Sequence, residues 1–366
     1  MFSKKSIAAL LMVGALMMSA TACGGNNAPA SSAAPASSAA PAASSEAPAA
    51  SSEAPAENDG AKVGQTVLKC SFNQTMENPE AQTMVELSDK LYDATEGRYS
   101  IEVYPSEQLG NQQESLELVQ AGAIDMAIVA NSIVEGVNSD FAIIGCPYIY
   151  DSIEHQKKLF QSGKLDELFA TTSNNDFVVL AAYSLGPRCV YAKKPVTTPE
   201  ELAGMKIRVM QSETMIQMMN NMGGVGTAMA QGDVYSAIQA GTLDGAENNI
   251  ITYTDLLQYE VAPYYSLTNH LMIPDELIIN ANLFSTMSAE DQEALKKLAT
   301  ESVETMFTLA DNLRESYFEK CKNEFGVTVT EVDVAPFQEK MKSFIEEVAN
   351  RSDMTKAVYA EIQALR

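Results

Sequence analysis

Two arginines in the body of the chain have surroundings suited to binding an anion. Arg208 lies in a strand-like apolar run between two β-branched residues, so its side chain points to the opposite face from theirs. Arg188 follows a second apolar run, where Gly186 and Pro187 turn the chain. A guanidinium stays charged and presents a planar fork that matches a carboxylate. The two arginines therefore indicate a site for an organic acid; the alternative for each is a salt bridge on a solvated sheet face.

Signatures of an enzyme active site are scarce. The chain has only two histidines: His155, next to lysines in an apparent helix, is expected at the surface, and His270 is expected in the core or at a cleft. No nucleophile elbow, zinc-protease motif, phosphate loop or dinucleotide fingerprint occurs, so we predict a non-enzyme with no catalytic residue, metal or cofactor. An alternative is a surface lipoprotein glycosidase acting on acidic sugars, with Glu247 and either Asp125 or Asp244 as acid and base.

One phrase occurs twice and indicates how such a site is positioned. Residues 118–132 (LVQAGAIDMAIVANS) and 237–250 (AIQAGTLDGAENNI) share Gln-Ala-Gly followed by Ile or Leu and Asp. In both copies a helical pattern ends at the glycine, a residue that tolerates the left-handed backbone of a helix C-terminus. We expect two similar α/β units whose strands end at a shared cleft, with residues 130–132 and 247–249 on opposite walls.

The remaining patterns predict a two-lobed α/β body with a mixed sheet and flanking helices in each lobe. The helix predicted at 288–322 exceeds the usual length, which suits an element that braces both lobes. The methionines of 212–222 are expected to fill the core. The predicted strands are 67–72, 100–104, 177–183 and 206–210, and the predicted helices are 78–95, 212–222, 288–322, 337–349 and 354–365.

The N-terminal segment predicts export. Residues 1–22 combine two lysines, a short apolar run and small residues, as in a secretory signal. Cys23 at the junction predicts a bacterial lipoprotein whose first mature residue is lipidated; the alternative is an ordinary cleaved signal. Residues 23–61 are rich in Ala, Ser and Pro and predict a disordered linker to the membrane, so the protein is expected outside the cytoplasm, anchored by lipid.

Charge and cysteine content exclude several classes of protein. The formal net charge is −24, and the body still carries −22 without the two leader lysines and the four acids of the linker. A body this acidic repels nucleic acid. Its four cysteines are too scattered for a zinc site, and the sequence leaves open whether they pair or pack as small core residues: Cys70, Cys146, Cys189 and Cys321.

Four phrases, in order, resemble the solute-binding component of TRAP (tripartite ATP-independent periplasmic) transporters. They are 95–110 (TEGRYSIEVYPSEQLG), 119–125 (VQAGAID), 199–209 (PEELAGMKIRV) and 233–248 (DVYSAIQAGTLDGAEN). The resemblance implies a periplasmic-binding-protein-like fold that captures an organic acid and delivers it to membrane permease subunits. The sequence leaves the oligomeric state open, although a tethered receptor is expected to work as a monomer. The resemblance also implies lobe I at 62–186 plus 275–313, and lobe II at 187–274 plus 314–366.

The resemblance implies a set of ligand-binding residues. Arg208 matches the arginine that binds the ligand carboxylate in this family, and Arg188 matches an assisting arginine. Gln231 replaces a Phe of sialate-binding relatives, which also carry a Glu that this chain lacks near residue 131, so sialate is disfavoured. The other implied contacts are Asn73, Asn131, Glu247, Asn248, Tyr253 and His270.

The Gly-Ala-Glu-Asn-Asn run at 245–249, with Tyr253 and His270, is similar to members that take hexuronates such as glucuronate or galacturonate. Amide and carboxylate side chains suit the hydroxyls of such a ligand. The alternatives are a different organic acid in the same site, either a C4-dicarboxylate or a sialate-like acid, and a ligand sensor that signals to a receptor.

Overall fold

Residues 62–366 are the part of the chain that the structure, a computed structural model, describes. The predicted signal (1–22), the predicted linker (23–61) and Cys23 lie outside these residues, so the expectations about them stay predictions. Among the described residues, no helix combines the length and the apolar character needed to cross a membrane.

Eleven strands form two sheets within residues 62–366. In chain order the strands are β1 (Thr66–Ser71), β2 (Tyr99–Tyr104), β3 (Met126–Ala130), β4 (Phe177–Tyr183), β5 (Arg188–Ala192), β6 (Lys206–Val209), β7 (Val225–Ala228), β8 (Gly245–Asn249), β9 (Tyr264–Leu271), β10 (Asp275–Asn280) and β11 (Thr328–Glu331).

Both sheets are mixed. The first sheet has the order β2-β1-β3-β10-β4, in which β1 pairs in parallel with β2 and β3, and β10 runs antiparallel between β3 and β4. The second sheet has the order β11-β9-β5-β8-β6-β7, in which β5 is antiparallel to both of its neighbours and β6 is parallel to β7 and β8. Each sheet therefore combines α/β units with an antiparallel strand inserted from elsewhere in the chain.

Helices cover the sheets. Those of the described chain are α1 (Pro79–Ala94), α2 (Gln112–Gln120), α3 (Asn131–Val134), α4 (Ile153–Gln161), α5 (Asp166–Ala170), α6 (Glu213–Met222), α7 (Val234–Gln239), α8 (Ile250–Asp255), α9 (Ala281–Thr286), α10 (Ala289–Asn323), α11 (Ala335–Ala349) and α12 (Asp353–Ala364).

Local sequence explains where the principal helices begin. Asn78 caps α1 by accepting the Glu80 N–H at 3.0 Å, with Pro79 at the first helical position. Ser288 caps α10 by accepting the Asp291 N–H at 3.1 Å. In α6 the expected core methionines are fully buried: Met215, Met218, Met219 and Met222.

The chain crosses between the sheets in short connections, residues 184–187 from β4 to β5 and residues 272–274 from β9 to β10. Helix α10 packs against α1 and β4 on the first sheet, and against α8 and β11 on the second. The predicted α/β fold with two mixed sheets and a long helix spanning both is confirmed. The division into lobes at the stated boundaries stays a prediction.

Two features of the core answer questions that the sequence raised. The prediction of a surface position for His155 is wrong: the residue is 4% exposed because α12 covers it, and its Nε2 lies 2.8 Å from the Ile362 carbonyl oxygen. The cysteines of the described chain are all unpaired and buried, as small core residues.

Candidate functional site

A cleft lies where strands of both sheets end. It encloses about 490 Å³ of space outside the protein atoms, including its opening. The carboxyl ends of parallel strands and the turns that follow them are where open α/β sheets bind ligands. Its lining is polar for the most part: Asn73, Gln74, Glu107, Asn111, Gln112, Ala130, Ile133, Arg188, Arg208, Met210, Gln211, Ala230, Gln231, Asn248, Asn249 and Asp275.

Arg208 is the most exceptional residue of this lining. It lies on β6 between fully buried Ile207 and Val209 and is itself only 3% exposed. Its Nε donates to the Met229 carbonyl oxygen at 2.8 Å and its Nη1 to Gln231 Oε1 at 2.9 Å, whereas within residues 62–366 no partner is found for Nη2. Burial lowers the pKa of Arg208 to about 10, although Glu247 opposes this effect, so the guanidinium stays charged at neutral pH. The side chain thus holds a buried positive charge with donors left for an anion.

Arg188 differs from Arg208 because its guanidinium is already paired with a carboxylate of the protein. Its Nε lies 2.7 Å from Glu247 Oε2, and its Nη2 lies 2.8 Å from Oε1 of the same carboxylate. Burial disfavours the charge of Arg188, but the Glu247 carboxylate outweighs burial and raises the pKa of the guanidinium. Burial likewise opposes the charge of Glu247, yet Arg188 lowers the pKa of that carboxyl to about 2. The two residues form a buried pair without net charge, so Arg208 supplies the uncompensated charge.

The Arg188–Glu247 pair also fixes an amide in the wall of the cleft. Arg188 Nη1 donates to Asn248 Oδ1 at 2.6 Å, which leaves Asn248 Nδ2 to donate to Gln231 Oε1 at 3.2 Å. Gln231 Nε2 and Asn73 Oδ1 are buried and have no hydrogen-bond partner among the described residues. One donor and one acceptor at the cleft therefore remain for a ligand with hydroxyl groups.

Five of the nine predicted ligand-binding residues line the cleft: Arg188, Arg208, Asn73, Gln231 and Asn248. The other four do not line it and make contacts elsewhere in the buried structure: Asn131, Glu247, Tyr253 and His270. Their direct contact with a ligand stays a prediction.

The contacts of these four residues explain their burial. Asn131 Nδ2 donates to the Phe141 carbonyl oxygen at 2.9 Å, and the Tyr253 hydroxyl donates to the Ala262 carbonyl oxygen at 2.9 Å. His270 Nδ1 lies 2.9 Å from Thr268 Oγ1, and its Nε2 is 3.5 Å from Glu247 Oε2 without the direction of a hydrogen bond. These contacts support the wall behind the cleft.

The repeated phrase forms the same structure in both sheets. Gly122 and Gly241 adopt φ angles of +69° and +75° after α2 and α7, and β3 and β8 follow. Asp125 Oδ2 accepts the Lys69 N–H at 2.8 Å, and Asp244 Oδ2 accepts the Lys206 N–H at 2.8 Å. Each aspartate thus holds a neighbouring strand, a structural role that does not suit a catalytic acid or base.

Sequence reasoning missed two acids of the lining, Glu107 and Asp275. Glu107 lies in the Tyr-Pro-Ser-Glu phrase with a φ of +59°, and burial raises the pKa of its carboxyl. Asp275 begins β10, directly after Pro274, and pairs in register with Ala130 at the end of β3. Of these two acids, only Glu107 had a local sequence signal, the turn in which it lies. The position of Asp275 depends on the pairing of β10 with β3, which is distant in sequence.

Comparison with known proteins agrees with this geometry. The family model described as bacterial extracellular solute-binding protein, family 7, matches residues 71–352. The chain belongs to this family. Its members bind solutes outside the cytoplasm and are not enzymes, which confirms the predicted class and extracytoplasmic location and sets aside the glycosidase alternative.

Solved structures of TRAP periplasmic solute-binding proteins resemble the whole described body. One from Anaerococcus prevotii with bound α/β-D-glucuronate is 32% identical, with a TM-score of 0.79, and the alignment covers 82% of this chain and 98% of that chain. One from Xanthobacter autotrophicus with bound β-D-galacturonate is 31% identical, with a TM-score of 0.78, over 81% and 99% of the two chains. A solute-binding protein of Chromohalobacter salexigens is 30% identical over 78% of this chain and 85% of its own length. The resemblance to TRAP solute-binding proteins is confirmed.

Proposed function

We propose that this protein captures a hexuronate, such as glucuronate or galacturonate, and delivers it to the membrane permease subunits of a TRAP transporter. The observation that carries the proposal is Arg208, a buried guanidinium in the cleft with unpaired donors on Nη2 among the described residues. A ligand carboxylate supplies the missing partner and offsets the cost of the buried charge. The hexuronates bound by two similar proteins support this ligand class.

The rest of the cleft favours a sugar acid over a smaller organic acid. Hydroxyl groups both donate and accept, and Gln231 Nε2 and Asn73 Oδ1 offer one group of each kind. A C4-dicarboxylate brings a second carboxylate, for which the neutralised Arg188 provides no free charge.

Capture follows from closure of the two lobes, in the ranges 62–186 plus 275–313 and 187–274 plus 314–366, over the ligand. A ligand that contacts both lobes favours the closed state by the difference between its affinities for the two states. The protein acts as a monomer at the membrane, to which lipid on Cys23 and the linker 23–61 attach it.

Isothermal titration calorimetry with glucuronate, galacturonate, sialate and succinate tests the ligand. We expect binding of at least one hexuronate in about the micromolar range or tighter, and weaker binding of sialate and succinate. Absence of heat with every one of these acids would refute the proposal, and a clear preference for succinate would favour the dicarboxylate alternative.

Metabolic labelling with an alkyne fatty acid tests the anchor. Cells that produce the full chain should incorporate the label, and Cys23→Ser should abolish incorporation and release the protein from the membrane fraction. The matched control is Cys321→Ser, which changes one of the buried cysteines and should leave labelling intact. Equal labelling of the Cys23→Ser protein would remove the lipid from the proposal.

A further inference from the structure

A pair of carboxyl groups stands in the wall of the cleft without a role in the function proposed above. Asp275 lines the cleft at the start of β10, where it faces the carboxyl of Glu80 from the first turn of α1. Glu80 is 1% exposed, so its carboxyl is shielded from water. The Asp275 carboxyl lies close enough to raise the pKa of Glu80, and Glu80 Oε1 is buried without a hydrogen-bond partner among the described residues.

The surroundings show which of the two carboxyls holds the proton. Burial raises the pKa of Glu80 well above its ordinary value, and Asp275 and Glu276 add to the effect. Burial also raises the pKa of Asp275, to about 6, with Arg188 opposing the rise. At neutral pH Glu80 therefore keeps its proton, whereas the Asp275 carboxyl at the cleft is mostly ionised.

This carboxylate has no cation of its own. Arg188 is the positive group that acts on Asp275, but the same guanidinium binds both carboxylate oxygens of Glu247. One positive charge thus faces two negative ones, Asp275 and Glu247. This part of the wall accepts hydrogen bonds from hydroxyl groups and repels a carboxylate, because an ionised carboxyl is an acceptor only.

We infer that the Glu80–Asp275 pair selects ligands that carry a single carboxylate and rejects those with a second carboxylate at the far end. The inference rests on the proposed function and adds to it a specificity-determining residue, Asp275. Glu80 acts through Asp275 as a positioning residue, by supplying the proton that keeps the carboxylate oriented.

Galacturonate and galactarate are suited to test this inference, since both are six-carbon sugar acids and differ in carrying one or two carboxylates. Calorimetry should show that the unaltered protein prefers galacturonate, and that Asp275→Asn lowers this preference by about tenfold or more. Glu80→Gln should retain the preference, because its amide N–H donates to Asp275 without needing a proton. Glu347→Gln is the control; it removes a charge from the exposed face of α11 and should change nothing.

The pH dependence provides a measurement that needs no variant. The groups that act on the pair are Glu276 from β10 and Arg188 from β5. As the pH falls through about 6, Asp275 takes up a proton and the preference for galacturonate over galactarate should diminish. The change should be absent in Asp275→Asn and retained in Glu347→Gln.

The possible failures are distinguishable. Binding of galacturonate with a preference that neither Asp275→Asn nor acidification alters would overturn this inference and leave the proposed function intact. Loss of the preference in Glu80→Gln, with Asp275→Asn behaving as expected, would show that a hydrogen bond donated from residue 80 is not what keeps the Asp275 carboxylate oriented. Failure of the unaltered protein to bind any hexuronate would overturn the proposed function itself.

Discussion

Replacement of Arg208 by Met should weaken ligand binding without destabilising the ligand-free protein. Burial lowers the pKa of this guanidinium from its ordinary 12.5 to about 10, and about 1.4 kcal/mol per pKa unit makes this an unfavourable contribution of about 3 kcal/mol. The variant removes that cost and loses two hydrogen bonds, to Met229 and Gln231, worth about 1 kcal/mol each. We therefore expect the free energy of unfolding to rise by about 1 kcal/mol or to stay unchanged.

Affinity should change in the opposite direction. The unpaired hydrogens of Nη1 and Nη2 can donate two charge-assisted hydrogen bonds to a carboxylate, each worth about 1.5–3 kcal/mol. Their loss predicts a decrease in affinity for glucuronate of at least about 100-fold. Arg208→Lys keeps the charge but loses the planar fork, so its affinity for glucuronate should lie between those of the unaltered protein and Arg208→Met.

Urea unfolding followed by circular dichroism measures the stability, and calorimetry measures the affinity. The stabilising shift that glucuronate produces in the melting temperature should also disappear in Arg208→Met, because a ligand that no longer binds cannot stabilise by mass action. The reasoning would be refuted if the free energy of unfolding of Arg208→Met were lower by more than about 2 kcal/mol while the variant still bound glucuronate normally.

Three further outcomes follow from the same cleft. Arg188→Met should lower the free energy of unfolding by about 3–5 kcal/mol in urea titrations, because it leaves Glu247 buried without its partner; a loss below 1 kcal/mol would contradict the pairing. Because the pKa of Glu247 is lowered to about 2, its contribution is fully present above about pH 4.5 and is lost as the pH falls toward 2; a Glu247→Gln protein should lack this part of the pH dependence in urea unfolding. Glu135→Ala removes the hydrogen bond that Ser212, just before α6, donates to Glu135, just after α3. Calorimetry should show that the affinities for glucuronate and galacturonate decrease by the same factor. An altered ratio between the two sugars would instead place Glu135 in contact with the ligand.

The sequence was sufficient where a local pattern determines the structure. The caps at Asn78, Ser212 and Ser288 and the glycine at the end of each repeated helix have local causes, and all occur within a residue or two of the expected positions. Arg208 could be recognised because a charged residue between apolar neighbours on a strand is exceptional.

Long-range pairing was beyond the reach of such patterns. Asp275 reaches the cleft because β10 inserts between β3 and β4, and both of these strands are far from β10 in the sequence. His155 was misplaced for the same reason, since α12 lies about 200 residues further along the chain. Burial by a distant segment changes the environment of a residue without any trace in its local sequence.

The two arginines illustrate how the fold assigns different tasks to identical side chains. Arg188, at the start of β5, lies opposite Asn249 of β8, so the Glu247 carboxylate satisfies it internally and the pair fixes Asn248. Arg208, on parallel β6, receives only neutral acceptors, so its charge stays uncompensated until an anion arrives. A body with a net charge of −22 repels an organic anion at long range. Recognition therefore depends on this short-range difference between a satisfied and an unsatisfied guanidinium, and exchanging the two environments should abolish binding while both arginines remain.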